Sequence, residues 1–61
     1  MTTRDRIMRA AEVLKANDIR GTVKGAHVDE YNGNVVYIRI QERPDWDISS
    51  YVINIRSGKV A

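Results

Sequence analysis

Val35-Val36-Tyr37-Ile38-Arg39-Ile40-Gln41 is the stretch that decides the fold. Val36, Ile38 and Ile40 alternate with Tyr37, Arg39 and Gln41, and a period of two residues puts the apolar set on one face of a half-buried strand. The pattern returns downstream, where Tyr51, Ile53 and Ile55 alternate with Val52, Asn54 and Arg56. Upstream, a weaker run from Thr22 places Ala26 and Val28 on one face and His27 and Asp29 on the other, with Gly25 marking a bulge.

Tyr31-Asn32-Gly33-Asn34 is a hairpin signal, and the register that keeps the apolar residues together selects its geometry. A two-residue Asn32-Gly33 turn would set Val28 opposite Tyr37 and split the apolar face. A three-residue loop, Tyr31-Asn32-Gly33 with Gly33 left-handed as a bulge, pairs Val28 with Val36 and Ala26 with Ile38. That loop is the expected one, and it sets His27 directly across from Tyr37. Further on, Pro44 within Glu42-Arg43-Pro44-Asp45-Trp46-Asp47-Ile48 cannot continue a central strand and fixes a corner. Ser57-Gly58 is another turn, leaving Lys59-Val60-Ala61 too short for an element of its own.

Ahead of the strands the period is helical. Ile7, Ala10, Ala11 and Leu14 form an apolar arc of roughly 100° on a helix expected from Thr3 to about Ala16. Thr2 with Asp5 fits a capping box, Asp5 suits the positive end of the helix dipole, and Asp5 with Arg9 forms an i, i+4 pair. Asn17 and Gly21 are stop signals, with Ile19 between them folding back as an apolar anchor. The chain therefore reads as α+β: a single domain over residues 1–61, one N-terminal helix packed on a three-stranded antiparallel sheet in the order αβββ.

Length and charge bound the function. A chain of 61 residues buries little surface and leans on some further support. It has no cysteine and one histidine, which removes disulfides, thiolate metal sites and imidazole clusters, and leaves regular packing or self-association, most simply a two-fold homodimer. Charged residues at the N-terminus and the lack of any run near the ~20 apolar residues of a membrane span imply a cytoplasmic protein with no membrane partner. Ten Lys and Arg against eight Asp and Glu is a mild excess, short of a dedicated phosphate-backbone binder. Its distribution sets a basic N-terminal third and C-terminal strand against an acidic island at Glu42, Asp45 and Asp47.

No motif for catalysis or a cofactor stands out. Nucleophile options reduce to Ser49, Ser50, Ser57, a threonine, a lysine or a carboxylate, and His27 has no motif around it. Gly21, Gly25, Gly33 and Gly58 are scattered over separate turns and build no phosphate cradle. Asp45 and Asp47 fall short of the roughly six oxygens a hard cation wants. A helix on a small sheet also offers little volume for a substrate pocket. The expectation is a non-enzymatic protein without cofactors.

The helix is consumed by the face carrying Ala26, Val28, Val36, Ile38, Ile40, Tyr51, Ile53 and Ile55. Nothing remains to cover the other, which presents His27, Val35, Tyr37, Arg39, Gln41, Val52, Asn54 and Arg56. Tyrosine and arginine are enriched at interface hot spots, and Tyr/Arg sheets also stack single-stranded bases. His27 is either a contact residue or a strand histidine stacked on its neighbour. Trp46 is either a hot spot in an exposed loop or the cap of a core that has no phenylalanine. Arg6 and Arg9 point away from the apolar arc, next to Asp5 and Glu12, as on an ordinary solvated helix face.

The ending Tyr51-Val52-Ile53-Asn54-Ile55-Arg56-Ser57-Gly58-Lys59-Val60 is similar to that of PepSY domains, where a strand runs into a Gly-Lys-Val-like turn, and the element order resembles theirs over nearly the whole chain. The resemblance implies an inhibitory or protein-binding role and assigns no functional residue. In size and make-up the chain also looks like accessory proteins of phages and mobile elements. The resulting expectation is a small regulator that binds a protein through the open sheet face, an edge strand or the Trp46 loop. The alternative is a nucleic-acid-binding module using Tyr37, Arg39 and Arg56 with the basic helix.

Overall fold

A computed structural model describes all residues, 1–61. It has one helix, α1 (Thr3–Ala16), followed by strands β1 (Thr22–Val28), β2 (Val35–Gln41), β3 (Ser49–Asn54) and β4 (Lys59–Val60). The strands form a single antiparallel sheet in the order β1-β2-β3-β4. The α+β class stands, with β4 added as a two-residue strand where Lys59-Val60-Ala61 was expected to be too short for an element of its own. Its pairing, Val60 with Ile53 and Lys59 with Asn54, follows from the tight turn at Gly58, whose N–H donates to the Asn54 carbonyl at 2.8 Å.

Both ends of α1 are closed by side chains and loop backbone. Thr2 Oγ1 accepts from the Asp5 amide at 3.1 Å and Asp5 Oδ2 accepts from the Thr2 amide at 3.3 Å, so the capping box is complete. The box occupies Asp5, and Arg9 pairs instead with Glu12 at 3.4 Å. At the other end Asp18 takes the left-handed conformation, with φ of 60°. Its N–H donates to the Lys15 carbonyl at 3.1 Å, and that of Ile19 to Leu14 at 3.0 Å. This is a Schellman closure with aspartate where glycine is usual, and it turns Ile19 back onto the core as expected.

The register matches the apolar pattern: Ala26 faces Ile38, His27 faces Tyr37 and Val28 faces Val36. Lys24 is the extra residue of a bulge between the Val23–Ile40 and Gly25–Arg39 pairs. The hairpin loop differs from the expected form. Gly33 has no positive φ, and the segment after Asp29 is instead wound around polar side chains. Asp29 Oδ1 accepts from the amides of Tyr31 at 2.8 Å and Asn32 at 3.0 Å, and Asn32 Oδ1 accepts from the Asn34 amide at 3.0 Å. A carboxylate and an amide supply the turn acceptors, so no left-handed glycine is needed.

The core lies between α1 and one sheet face: Ala10, Val13 and Leu14 meet Val36, Ile38, Ile40, Ile53 and Ile55. Ile7, Ala26, Val28, Tyr51 and Val60 pack around it. Every residue expected on the covered face is there. Val13, absent from the expected arc, joins because β-sheet packing widens the buried stripe of the helix. No polar or charged residue is buried, and no helix is long and apolar enough to cross a membrane.

A domain of this size carries a total stability of about 3–9 kcal/mol on the usual per-residue scale. Truncating a fully buried core residue costs about 2–5 kcal/mol. Ile38→Ala or Ile53→Ala, each 0% exposed in the parent, should therefore remove a large share of that stability and lower the midpoint sharply in urea titrations monitored by circular dichroism. Ile48→Ala, where the parent side chain is 49% exposed, should shift the midpoint little.

Candidate interaction surface

Successive cross-strand rows build the face that α1 leaves bare. Gly25, Arg39 and Ser50 form one row and His27, Tyr37 and Val52 the next; Val35 and Asn54 follow beside Asp29. The first two rows enclose a shallow hollow of about 510 Å³, floored by the strand segments through Ala26, Ile38 and Tyr51. That volume is larger than expected for so small a domain. It exists because Gly25 has no side chain and Ser50 a short one, between larger residues on either side.

Arg39 lies across this gap. A Cβ at residue 25 would stand 2.6 Å from an Arg39 guanidinium nitrogen, so glycine is what lets the fork rest on the sheet. Arg39 has no carboxylate partner, since the only ion pair in the molecule joins Arg9 and Glu12. The fork is left with hydrogen-bonding capacity directed at whatever covers the face.

The second row is held more tightly. The rings of His27 and Tyr37 stack with centroids 4.9 Å apart and planes 21° from parallel. Tyr37 Oη donates to Asp29 Oδ2 at 2.7 Å, while the other carboxylate oxygen holds the hairpin loop. One aspartate thus fixes both a turn and a ring. The Tyr37 hydroxyl, with help from the loop amides and the neighbouring His27, holds the Asp29 carboxyl below its ordinary value, against a partial loss of hydration. The same bond, together with lost hydration and the Asp29 charge, pushes the Tyr37 phenol up.

Val52 adds an apolar rim, 37% exposed, and Val35 is half-buried beside it. Three of the expected face residues are used differently, Gln41 in the loop around Trp46, and Asn54 and Arg56 beyond the end of β3. Asn54 spends its side-chain oxygen on the turn after β3, accepting from the amides of Arg56 and Ser57, both at 3.0 Å. Because β3 ends at Asn54, Arg56 leaves the sheet and lines a separate hollow with Arg6 and Arg9. Arg6 is half-buried there rather than free on a solvated helix face.

Trp46 belongs to neither core nor hollow. It is 49% exposed, and the Arg43 guanidinium sits over its ring at 4.7 Å. Gln41 Nε2 donates to the carbonyls of Pro44 at 3.2 Å and Trp46 at 2.9 Å, which orders the loop without burying the indole. Asp45 and Asp47 join no cluster of three ligating side chains. Neither His27 nor Ser50 has a side-chain hydrogen bond, and the sequence pattern missed Gly25, Ser50 and Asp29 as shapers of the face. Asp29 was within reach, since pairing it with Val35 makes it the diagonal neighbour of Tyr37.

No family model, curated protein or solved structure matches the chain.

The bond between Asp29 and Tyr37 has a pH signature with two limits. Asp29 ionises below its ordinary 3.8, so its contribution is complete above that value and fades as the pH falls through the depressed one. Tyr37 ionises above its ordinary 10.0, so its contribution is complete below that value and fades as the pH rises through the raised one. The stability advantage of the parent over Asp29→Asn should narrow as the pH falls through the depressed Asp29 value and as it rises through the raised Tyr37 value, as read from urea midpoints. In an absorbance titration Asp29→Asn should also bring the late-ionising phenol down.

Proposed function

We propose that this chain is a non-enzymatic binding protein whose uncovered sheet face docks a protein partner. The hollow walled by His27, Tyr37, Arg39 and Val52 carries the reading, because its central aromatic is already fixed before any partner arrives. A ring stacked on one side and hydrogen-bonded at its tip loses little freedom on binding, so more of its contact energy is kept. Tyrosine and arginine in a desolvating hollow are the usual anchors of such interfaces. The unpaired Arg39 favours a partner patch that offers a carboxylate beside apolar groups. A second copy of the chain is one form of that partner.

The nucleic-acid reading draws on the same residues, since stacked rings beside an unpaired arginine also suit a single-stranded base. Asp29 next to Tyr37 counts against it, because a carboxylate on the platform repels a phosphate backbone. The modest net charge of +2 weighs the same way. In both readings the chain acts by occupying its target, and regulation or inhibition is the consequence.

Capture from the cells in which the chain is native, with immobilised parent and variants, separates these readings. Tyr37→Ala with Arg39→Ala should weaken capture of a discrete protein by about thirtyfold or more, the effect of losing hot-spot anchors. Met8→Glu, on the far side of the helix, should leave it unchanged. Capture that resists nuclease and moderate salt supports the protein reading. Capture that nuclease abolishes, with a steep decline in salt, transfers the function to nucleic acid. Capture indifferent to both sheet-face substitutions contradicts either reading.

A further inference from the structure

At the opposite end of the domain from Trp46, two parts of the chain bring three arginines together. Arg6 and Arg9 come from the first turns of α1 and Arg56 from the turn after β3, around a hollow of about 260 Å³ that Asn34 and Ile55 also line. None of its lining residues is acidic, although the chain has eight carboxylates to place. Arg9 has only an exposed pairing with Glu12 at 3.4 Å, and Arg6 and Arg56 have no carboxylate partner. Such an exposed pair contributes little. Three cationic side chains lining one hollow raise the local positive potential, which favours an anion.

The hollow is built rather than incidental. The Ile55 amide donates to the Asn34 carbonyl at 2.8 Å, tying the turn that carries Arg56 to the hairpin loop. The Asn34 side-chain amide makes no hydrogen bond of its own. On the third side, the Arg6 guanidinium rests on Gly33: a Cβ there would stand 2.7 Å from one of its nitrogens. Gly33 has no positive φ, and the nearest atoms a Cβ there would meet all belong to the Arg6 guanidinium, so a side chain at this position would push the fork aside.

We propose that this hollow is a binding site for a phosphate group, gripped by the forks of Arg6 and Arg56 with Arg9 and the Asn34 amide in support. Guanidinium forks match the oxygen spacing of phosphate, and a dianion with several oxygens uses more of these donors than a carboxylate does. The volume lies below the roughly 300–1,000 Å³ of pockets that swallow a whole ligand, so the site takes the phosphate and leaves its carrier outside. The site is independent of the sheet face and does not depend on what docks there.

Amide NMR titrations with inorganic phosphate and with a nucleoside monophosphate, at constant ionic strength, test the proposal. Saturable shifts should be confined to Arg6, Arg9, Gly33, Asn34, Ile55 and Arg56. Arg6→Gln and Arg56→Gln should each weaken binding by about tenfold or more, as for a lost charged hydrogen bond. Arg20→Gln, outside the hollow, removes the same charge and should have no such effect. Gly33→Ala displaces the Arg6 fork at unchanged net charge and should also weaken binding. Equal affinity for both probes means the phosphate alone is read, and tighter monophosphate binding means a nucleotide carrier adds contacts. Unsaturable shifts spread over all the cationic side chains, or affinities unchanged in Arg6→Gln and Arg56→Gln, would overturn it.

Discussion

One helix can cover one face of a sheet, and the rest of this molecule is arranged around that limit. α1 has 14 residues and so spans about 21 Å, comparable with the seven-residue strands it crosses. Its buried stripe of Ala10, Val13 and Leu14 is used up on Val36, Ile38, Ile40, Ile53 and Ile55. The period of two then forces Tyr37, Arg39 and Val52 to the side that receives no cover. Core and bare face are therefore the two faces of the same strands, and neither can be altered in register without altering the other.

The bare face is kept in order by polar contacts instead of by packing. Asp29 shows how few are needed: one oxygen closes the hairpin loop and the other holds Tyr37, on which His27 stacks. Gly25 and Ser50 then leave the depression beside that stack, and Arg39 lies along it. A similar economy recurs at the other end, where Gly33 seats Arg6 and Asn54 shapes the turn that carries Arg56. Both glycines sit where an arginine side chain comes close to backbone.

The helix, its capping box, the three long strands and the Val28–Val36 register were legible in the sequence, because each rests on local spacing or on apolar alternation. The loop form and β4 were not. The hairpin closes on the side-chain acceptors of Asp29 and Asn32 together with a backbone bond from the Val35 amide to the Asn32 carbonyl at 3.0 Å, an arrangement that requires no left-handed Gly33. β4 is created by the turn at Gly58 and not by any propensity in two residues. On the candidate surface, His27 opposite Tyr37 followed from register alone. Arg56 was assigned to the sheet by extending the alternation past Asn54, where the Asn54 side chain in fact bends the chain away. The seats of Arg6 and Arg39 on Gly33 and Gly25 are contacts between distant segments, and no spacing in the sequence encodes them.

A working interface on the uncovered face should be occupied in the cell. Side-chain footprinting with hydroxyl radicals, run on the dilute purified chain and on the chain inside its native cells, measures that directly. Met8 and Tyr31, exposed and off the face, serve as internal references. The account predicts that His27, Tyr37 and Val52 are labelled in the dilute sample and protected in the cell, relative to those references. Equal labelling of all five residues in both settings would contradict it.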